Sequence, residues 1–143
     1  MDFETVSAEK FGASLRGIGL NLLVRDVPGL CATLVDVFDM TAHRISSDFA
    51  ILVSGTDVFQ LHSDATYHSH PLPSLLPEAG ARGAGIEIRL YDTDPDAAHA
   101  KAEAQGMTIL QPPTNKPHGL RECYLLCKNG YAWVPSRPLS END

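Results

Sequence analysis

The feature that most constrains this chain is an internal repeat. Gly17-Ile18-Gly19-Leu20-Asn21-Leu22-Leu23-Val24-Arg25-Asp26 lies over Gly83-Ala84-Gly85-Ile86-Glu87-Ile88-Arg89-Leu90-Tyr91-Asp92 without a gap, matching glycines, alternating aliphatics and the closing aspartate. In each copy the aliphatics (Leu20, Leu22, Val24; Ile86, Ile88, Leu90) recur with period two, as in a strand with one face in a core. Both segments therefore read as strands.

Beyond each strand the period changes to that of a helix. In residues 28–40, Leu30, Leu34 and Val37/Phe38 form one stripe with Asp36 and Asp39 off it. In the second copy Asp94 is a cap, Pro95 suits a first turn, Ala97, Ala98 and Ala102 give a close-packing face, and Gly106 ends the helix. Three strand-like stretches follow each helix: 42–46, 49–54 and 58–62, then 108–111, 120–127 and 131–134. Gly55-Thr56-Asp57 and Lys128-Asn129-Gly130 join the last two of each set as hairpins. Each half therefore reads βαβββ. The predicted organisation is an N-terminal extension over 1–15, a first module over 16–64, a linker over 65–82, a second module over 83–139 and a tail over 140–143. Pro71, Pro73, Pro77 and Gly80 mark the linker, with a short helical turn at Ser74-Leu75-Leu76, and residues 1–14 are expected to be loosely held.

Composition narrows the partners. With Lys+Arg 11 against Asp+Glu 18, the formal charge of −7 repels a phosphate backbone, so nucleic acid is not an expected partner. No apolar run approaches the ~20 residues of a spanning helix, so no membrane is expected. Three cysteines without secretory spacing, and a start at Met1-Asp2-Phe3-Glu4-Thr5 lacking a basic or apolar leader, point to a reducing cytoplasm.

Two tandem βαβββ units of this length resemble the vicinal-oxygen-chelate superfamily, which includes glyoxalase I, extradiol dioxygenases, and fosfomycin- and bleomycin-resistance proteins. The resemblance covers residues 16–139. Its local cues are Val24-Arg25-Asp26, Leu90-Tyr91-Asp92, Asp94-Pro95-Asp96-Ala97-Ala98 and Gln111-Pro112-Pro113-Thr114. Pro117-His118-Gly119-Leu120-Arg121-Glu122 is similar to the Pro-Trp-Gly-x-Arg-Glu segment of the bleomycin-resistance-like branch, with histidine in place of tryptophan, and Cys127-Lys128-Asn129-Gly130 replaces its Asp-Pro-Asp-Gly hairpin. The resemblance implies an α+β fold in which two βαβββ modules curl mixed sheets around a cup, helices outside, and two chains combine as a homodimer. It also implies metal ligands at positions that fall here on Gly19, Gln60, Gly85 and Val134. Only Gln60 among them has a side chain able to coordinate, and a divalent ion generally needs three or more protein ligands, so no metal or other cofactor is expected.

A rival metal signal is His62, His68 and His70 with Asp64 between them, although histidines in a proline-rich linker are usually solvated. Cys123 and Cys127 are ~13 Å apart along a strand and read as packing residues, as does Cys31. His43 and His99 read as surface residues.

Strand alternation from the implied ligand positions sends Asn21, Gln60, His62, Glu87 and Arg89 into the cup, and the same parity adds Glu122 and Tyr124, with Cys123, Leu125, Phe59 and Trp133 on the core side. His118 and Tyr67 lie on loops able to close over it. Glu87 with Arg89 reads either as cup lining or as a surface ion pair, and His62 either as lining or as an ordinary strand histidine. The expected function is therefore binding of a small organic molecule without the family's metal, through Asn21, Gln60, His62, Glu87, Arg89, His118, Glu122 and Tyr124. The alternatives are a metal-dependent or metal-free lyase, isomerase or dioxygenase-related enzyme, and a module with a vestigial cup. Two carboxylates, Glu87 and Glu122, against one guanidinium predict a ligand that supplies donors or positive charge, with Arg89 anchoring a carboxylate on a zwitterion and Glu122 the acid that a cation meets.

Overall fold

The computed structural model describes Met1–Asp143. The first copy of the repeat becomes strand β1 (Asn21–Val24), and the helical stripe after it becomes a helix over Val27–Phe38. Ahead of them lies α1 (Ala8–Ser14), so the Val27–Phe38 helix is α2. Asp26 caps α2 by accepting from the Gly29 N–H at 3.0 Å, and Pro28 occupies the first turn, where its missing N–H costs nothing. The helix ends on Asp39 in a left-handed conformation. Leu30, Leu34 and Val37 are buried, as the stripe predicts, each such side chain contributing ~1.5–3 kcal/mol by leaving water. Strands β2 (Thr41–His43), β3 (Phe49–Ser54) and β4 (Asp57–Ser63) complete a four-stranded sheet in the order β1-β4-β3-β2, with β1 parallel to β4 and the rest antiparallel.

The second module repeats this plan with β5 (Glu87–Leu90), α3 (Pro95–Gln105), β6 (Thr108–Asn115), β7 (Leu120–Leu126) and β8 (Ala132–Pro138), ordered β5-β8-β7-β6. Asp94 caps α3 through the Asp96 N–H, Gly106 closes it at φ 76°, and Ala98 and Ala102 are its buried face. The fold is α+β, two four-stranded mixed sheets built from repeated βαβββ modules. The chain forms two compact units, Met1–Val35 with Asp39–Leu75, and Leu76–Asp143 with Asp36–Phe38. No helix is long and apolar enough to cross a membrane.

Several segments differ from the sequence reading, among them strand β8, which runs to Pro138 instead of ending at 134. Residues 1–14 are held rather than loose: Ser7 caps α1, Phe11 is buried, and Phe3 packs edge-on against Phe11 and tilted against His43. Glu4 adds a polar tie, accepting the Arg44 N–H at 3.1 and 3.2 Å and lying 3.3 Å from the His43 imidazole. That same contact stops β2 at His43 instead of residue 46, because Arg44 turns left-handed (φ 52°) and leaves the ladder. Strand β6 runs four residues past its expected end at 111, through Pro112 and Pro113. It lies at the sheet edge, where a missing N–H can face away from the ladder, and the second of two register shifts against β7, between Gln111 and Thr114, spans both prolines.

Candidate functional site

In the second module, α3 lies on one face of the sheet, and the Cys123 thiol reaches Pro95 O under it at 3.6 Å. Residues of opposite parity, Glu122 and Tyr124 on β7, project from the other face, together with Glu87 and Arg89 of β5. Glu122 is fully buried, yet it is surrounded by donors. Arg89 Nη2 donates an ion-paired hydrogen bond to Oε2, the Tyr124 hydroxyl donates to Oε1 at 3.0 Å, and His118 Nε2 stands 3.4 Å from Oε2. The other end of the guanidinium donates from Nη1 to Glu87 Oε2 at 3.1 Å. Burial alone raises the Glu122 carboxyl, but the hydrogen bonds from Arg89, Tyr124 and His118 outweigh it and hold the acid below its ordinary value of 4.5. Burial likewise opposes the charge on Arg89, and its bonds to Glu122, Tyr124 and Glu87 more than offset that, raising it. Tyr124 is raised, first by burial and then by its bond to Glu122.

The loop motif explains how His118 gets there. Gly119 at φ 90° makes the turn, its N–H donating to Lys116 O, while the Lys116 N–H donates to Leu120 O across it. Arg121, of opposite parity to Glu122, binds both carboxylate oxygens of Asp96 at 2.8 Å and so ties β7 to the start of α3. The motif thus serves both faces of the strand.

Beside this network is an open pocket of about 640 Å³. Small residues make its floor, among them Gly85 and Ala132, while Ile86, Leu110 and Leu126 give apolar wall and Glu87 and Tyr124 its polar groups. At the rim Gly130 (φ 80°) touches Ala81 so closely that a Cβ there would sit 2.4 Å from the Ala81 Cα. Ser136 faces Glu122 across β7 and β8, and its hydroxyl is buried without a hydrogen-bond partner.

In the first module the corresponding face is aromatic and neutral. His62 packs edge-on against Phe49 and Tyr67, with centroids 5.1 and 5.3 Å away, and its Nε2 lies 3.1 Å from Gln60 Oε1. Asn21 donates to the Tyr67 hydroxyl at 3.3 Å, and the His70 ring lies tilted against Tyr67 with centroids 5.2 Å apart. Burial lowers the His62 pKa from 6.5, so the ring is neutral near pH 7. All eight expected ligand residues therefore fall into two clusters: Asn21, Gln60 and His62 in one module, and Glu87, Arg89, His118, Glu122 and Tyr124 in the other.

The expected role of Glu122 needs correction. It is not a spare acceptor for a cation, because three donors already occupy it. Nor is Arg89 free to anchor a ligand carboxylate, being held between Glu122 and Glu87. The residue that sequence reasoning missed is Lys116, whose ammonium stands 5.6 Å from the Tyr124 ring centroid. Its neighbour His118 was identified through the motif, but nothing in the linear sequence aims a loop lysine at one ring.

Of the positions where the fold resemblance implies metal ligands, Gly85 lines the pocket, Val134 is a buried aliphatic, and Gln60 contacts His62. His68 and His70 are engaged locally, with Ala65 O and the Leu72 N–H, and no three His, Cys, Asp or Glu side chains are arranged to hold an ion. Cys31 and Cys123 are pushed up by burial to about 11 and about 12, leaving them protonated thiols.

No protein-family model matches the chain, and no curated protein matches it in sequence. Solved structures do match its fold. A glyoxalase/bleomycin resistance protein/dioxygenase family enzyme from Burkholderia phytofirmans PsJN superposes with a TM-score of 0.71 at 17% identity, over 85% of this chain and 97% of that one. TioX from Micromonospora sp. ML1 gives 0.63 at 22% identity, over 87% and 99%. A glyoxalase-related enzyme from Fulvimarina pelagi gives 0.68 at 12% identity, over 88% and 93%. The chain therefore has the fold of the glyoxalase/bleomycin-resistance/dioxygenase proteins, the vicinal-oxygen-chelate architecture that its repeat resembles.

Proposed function

We propose that this protein binds a small organic molecule in the pocket of its second module, with neither the divalent ion of the metal-dependent proteins of this fold nor any other cofactor. The observation that carries the reading is the apolar pocket beside the Glu87–Arg89–Glu122–Tyr124 network. A buried, fully bonded ion pair holds its side chains in one arrangement, so a ligand meets a preorganised polar edge and does not have to order it. Glycine at 85 and valine at 134 supply no donor atoms at two of the metal positions, which supports metal-independent binding. Glu122, saturated with donors and held ionised, is poorly suited to take a proton, which favours binding over acid-base catalysis. In this reading the chain works in the cytoplasm as a homodimer.

Native mass spectrometry of tag-free protein tests the reading. The expected result is a species of twice the 15.5 kDa chain mass that retains or accepts organic ligands, with far less than one divalent ion per chain by elemental analysis. One tightly held zinc, nickel, manganese or iron per chain would overturn the metal-independent reading. A strict monomer at micromolar concentration would overturn the dimer.

A further inference from the structure

Charges already satisfied and charges left over are separable around the pocket. Arg89 and Glu122 consume each other, and Glu87 gives one carboxylate oxygen, Oε2, to Arg89. Its other oxygen, Oε1, has no partner, and the side chain is 46% exposed at the pocket wall. Lys116 is the complementary case. Its ammonium rests over the Tyr124 ring and is paired with no carboxylate, and Tyr124 lines the same pocket as Glu87. One anionic and one cationic group are thus left open, while Ile86, Leu110 and Leu126 give an apolar wall whose first two members are more than half exposed.

The geometry points to a zwitterionic ligand with an apolar or aromatic body, its ammonium on the free oxygen of Glu87 and its carboxylate on the Lys116 ammonium, the body lying against Tyr124, Ile86 and Leu110. This inference rests on the pocket being the binding site proposed above. It departs from what residue types alone suggest, since the guanidinium that looks like the carboxylate anchor is already spent. A neutral ligand would leave both open charges to water, and a singly charged ligand would satisfy one of them. A zwitterion satisfies both, each through a charge-assisted hydrogen bond.

Four probes built on one benzene ring separate the terms: 4-(aminomethyl)benzoate, benzylamine, 4-methylbenzoate and 4-methylbenzyl alcohol, titrated into the full-length chain with backbone amide shifts at Gly85, Tyr124 and Ala132 as the readout. The zwitterion is expected to bind at least about tenfold more tightly than either singly charged probe, the factor that corresponds to one further charge-assisted bond. Glu87→Gln, which keeps a carbonyl for Arg89, should weaken 4-(aminomethyl)benzoate and benzylamine and spare 4-methylbenzoate. Lys116→Met should weaken 4-(aminomethyl)benzoate and 4-methylbenzoate and spare benzylamine. If all four bind with similar affinity and shift the same amides, the pocket reading stands and the zwitterion inference is overturned. If Lys116→Met leaves every affinity unchanged, the carboxylate anchor is wrong. If none of the four shifts those amides at millimolar concentration, the pocket itself is overturned.

Discussion

Where the first module places Asn21, Phe49 and His62, the second places Glu87, Tyr124 and Val134. The ladders fix the equivalence: Asn21 pairs with Gln60 as Glu87 pairs with Ala132, and Phe49 pairs with His62 as Tyr124 falls opposite Val134, between the Glu122–Ser136 and Leu125–Trp133 pairs. One backbone plan thus carries two chemistries. The first face is filled by rings touching rings, while the second has small side chains, Ala132 among them, beside an ion pair. In the first module, long side chains at 60 and 62 occupy the space over the central strands. In the second, alanine at the position equivalent to Gln60 lines the open pocket, and the charge is carried one strand away.

The sharpest way to break this comparison is to remove the guanidinium. Arg89→Met leaves the buried Glu122 carboxylate with only Tyr124 and His118 as donors, and the expected loss of stability is ~3 kcal/mol, near the low end for breaking a buried pair. The double variant Arg89→Met/Glu122→Leu should recover most of it, since no charge is then stranded. Urea unfolding of the variants measures both. A cost for Arg89→Met below ~1 kcal/mol would mean that Glu122 is not held by the ion pair.

How far the sequence reveals this difference depends on the kind of contact. Strands β1 and β5, helices α2 and α3 and the caps of α3 are legible, because period and capping chemistry are local: Asp94 and Gly106 sit where their side chains, or lack of one, demand. Strand parity also sorts Glu122 and Tyr124 from Cys123 and Leu125 correctly. Partner identity is not local. The Glu87–Arg89 pair is one of the readings the sequence allows, but nothing in the order of residues says that Arg89 is shared with a second carboxylate 33 positions away, or that Lys116 finds a ring instead of an acid. The N-terminal segment is misread for the same reason: Phe3, Glu4 and Phe11 look like scattered residues until His43 and Arg44 are brought beneath them.

A smaller effect sharpens the contrast in space. Ala132→Leu puts in the second module the bulk that Gln60 gives the first, projecting it into the pocket. Affinity for 4-(aminomethyl)benzoate should fall at least about tenfold, a loss of ~1.4 kcal/mol, by titration calorimetry. The equivalent exchange in the first module, Gln60→Leu, should leave that affinity unchanged.

Smaller again is the pH response, and its sign is the same for both faces while its window differs. Burial depresses His62 below 6.5, so the stability linked to its neutral ring is complete above pH 6.5 and is lost as pH falls toward the lower folded value. Glu122 is depressed below 4.5, so its contribution is complete above pH 4.5 and is lost as pH falls through its folded value. Melting temperature against pH should therefore begin to decline below 6.5 in the native chain. His62→Phe should delay that decline to the carboxylate range. If His62→Phe leaves the profile unchanged, the first face does not bury a neutral imidazole.

The smallest effect concerns a buried hydroxyl on the second face that the network leaves out. Ser136 lies across the ladder from Glu122, on the same face, and its Oγ is buried with no hydrogen-bond partner, while Glu122 already takes Arg89, Tyr124 and His118. A buried hydroxyl without a partner loses its hydration and gains nothing in return, which costs ~1–3 kcal/mol relative to a satisfied one. Ser136→Ala removes that penalty together with one atom, and the small void left opposes the gain. The net change should be between no effect and a stabilisation of ~1 kcal/mol, measured as a shift in the urea midpoint with an unchanged slope. A destabilisation of ~1 kcal/mol or more would show that Ser136 belongs to the Glu122 network and helps to hold the carboxylate.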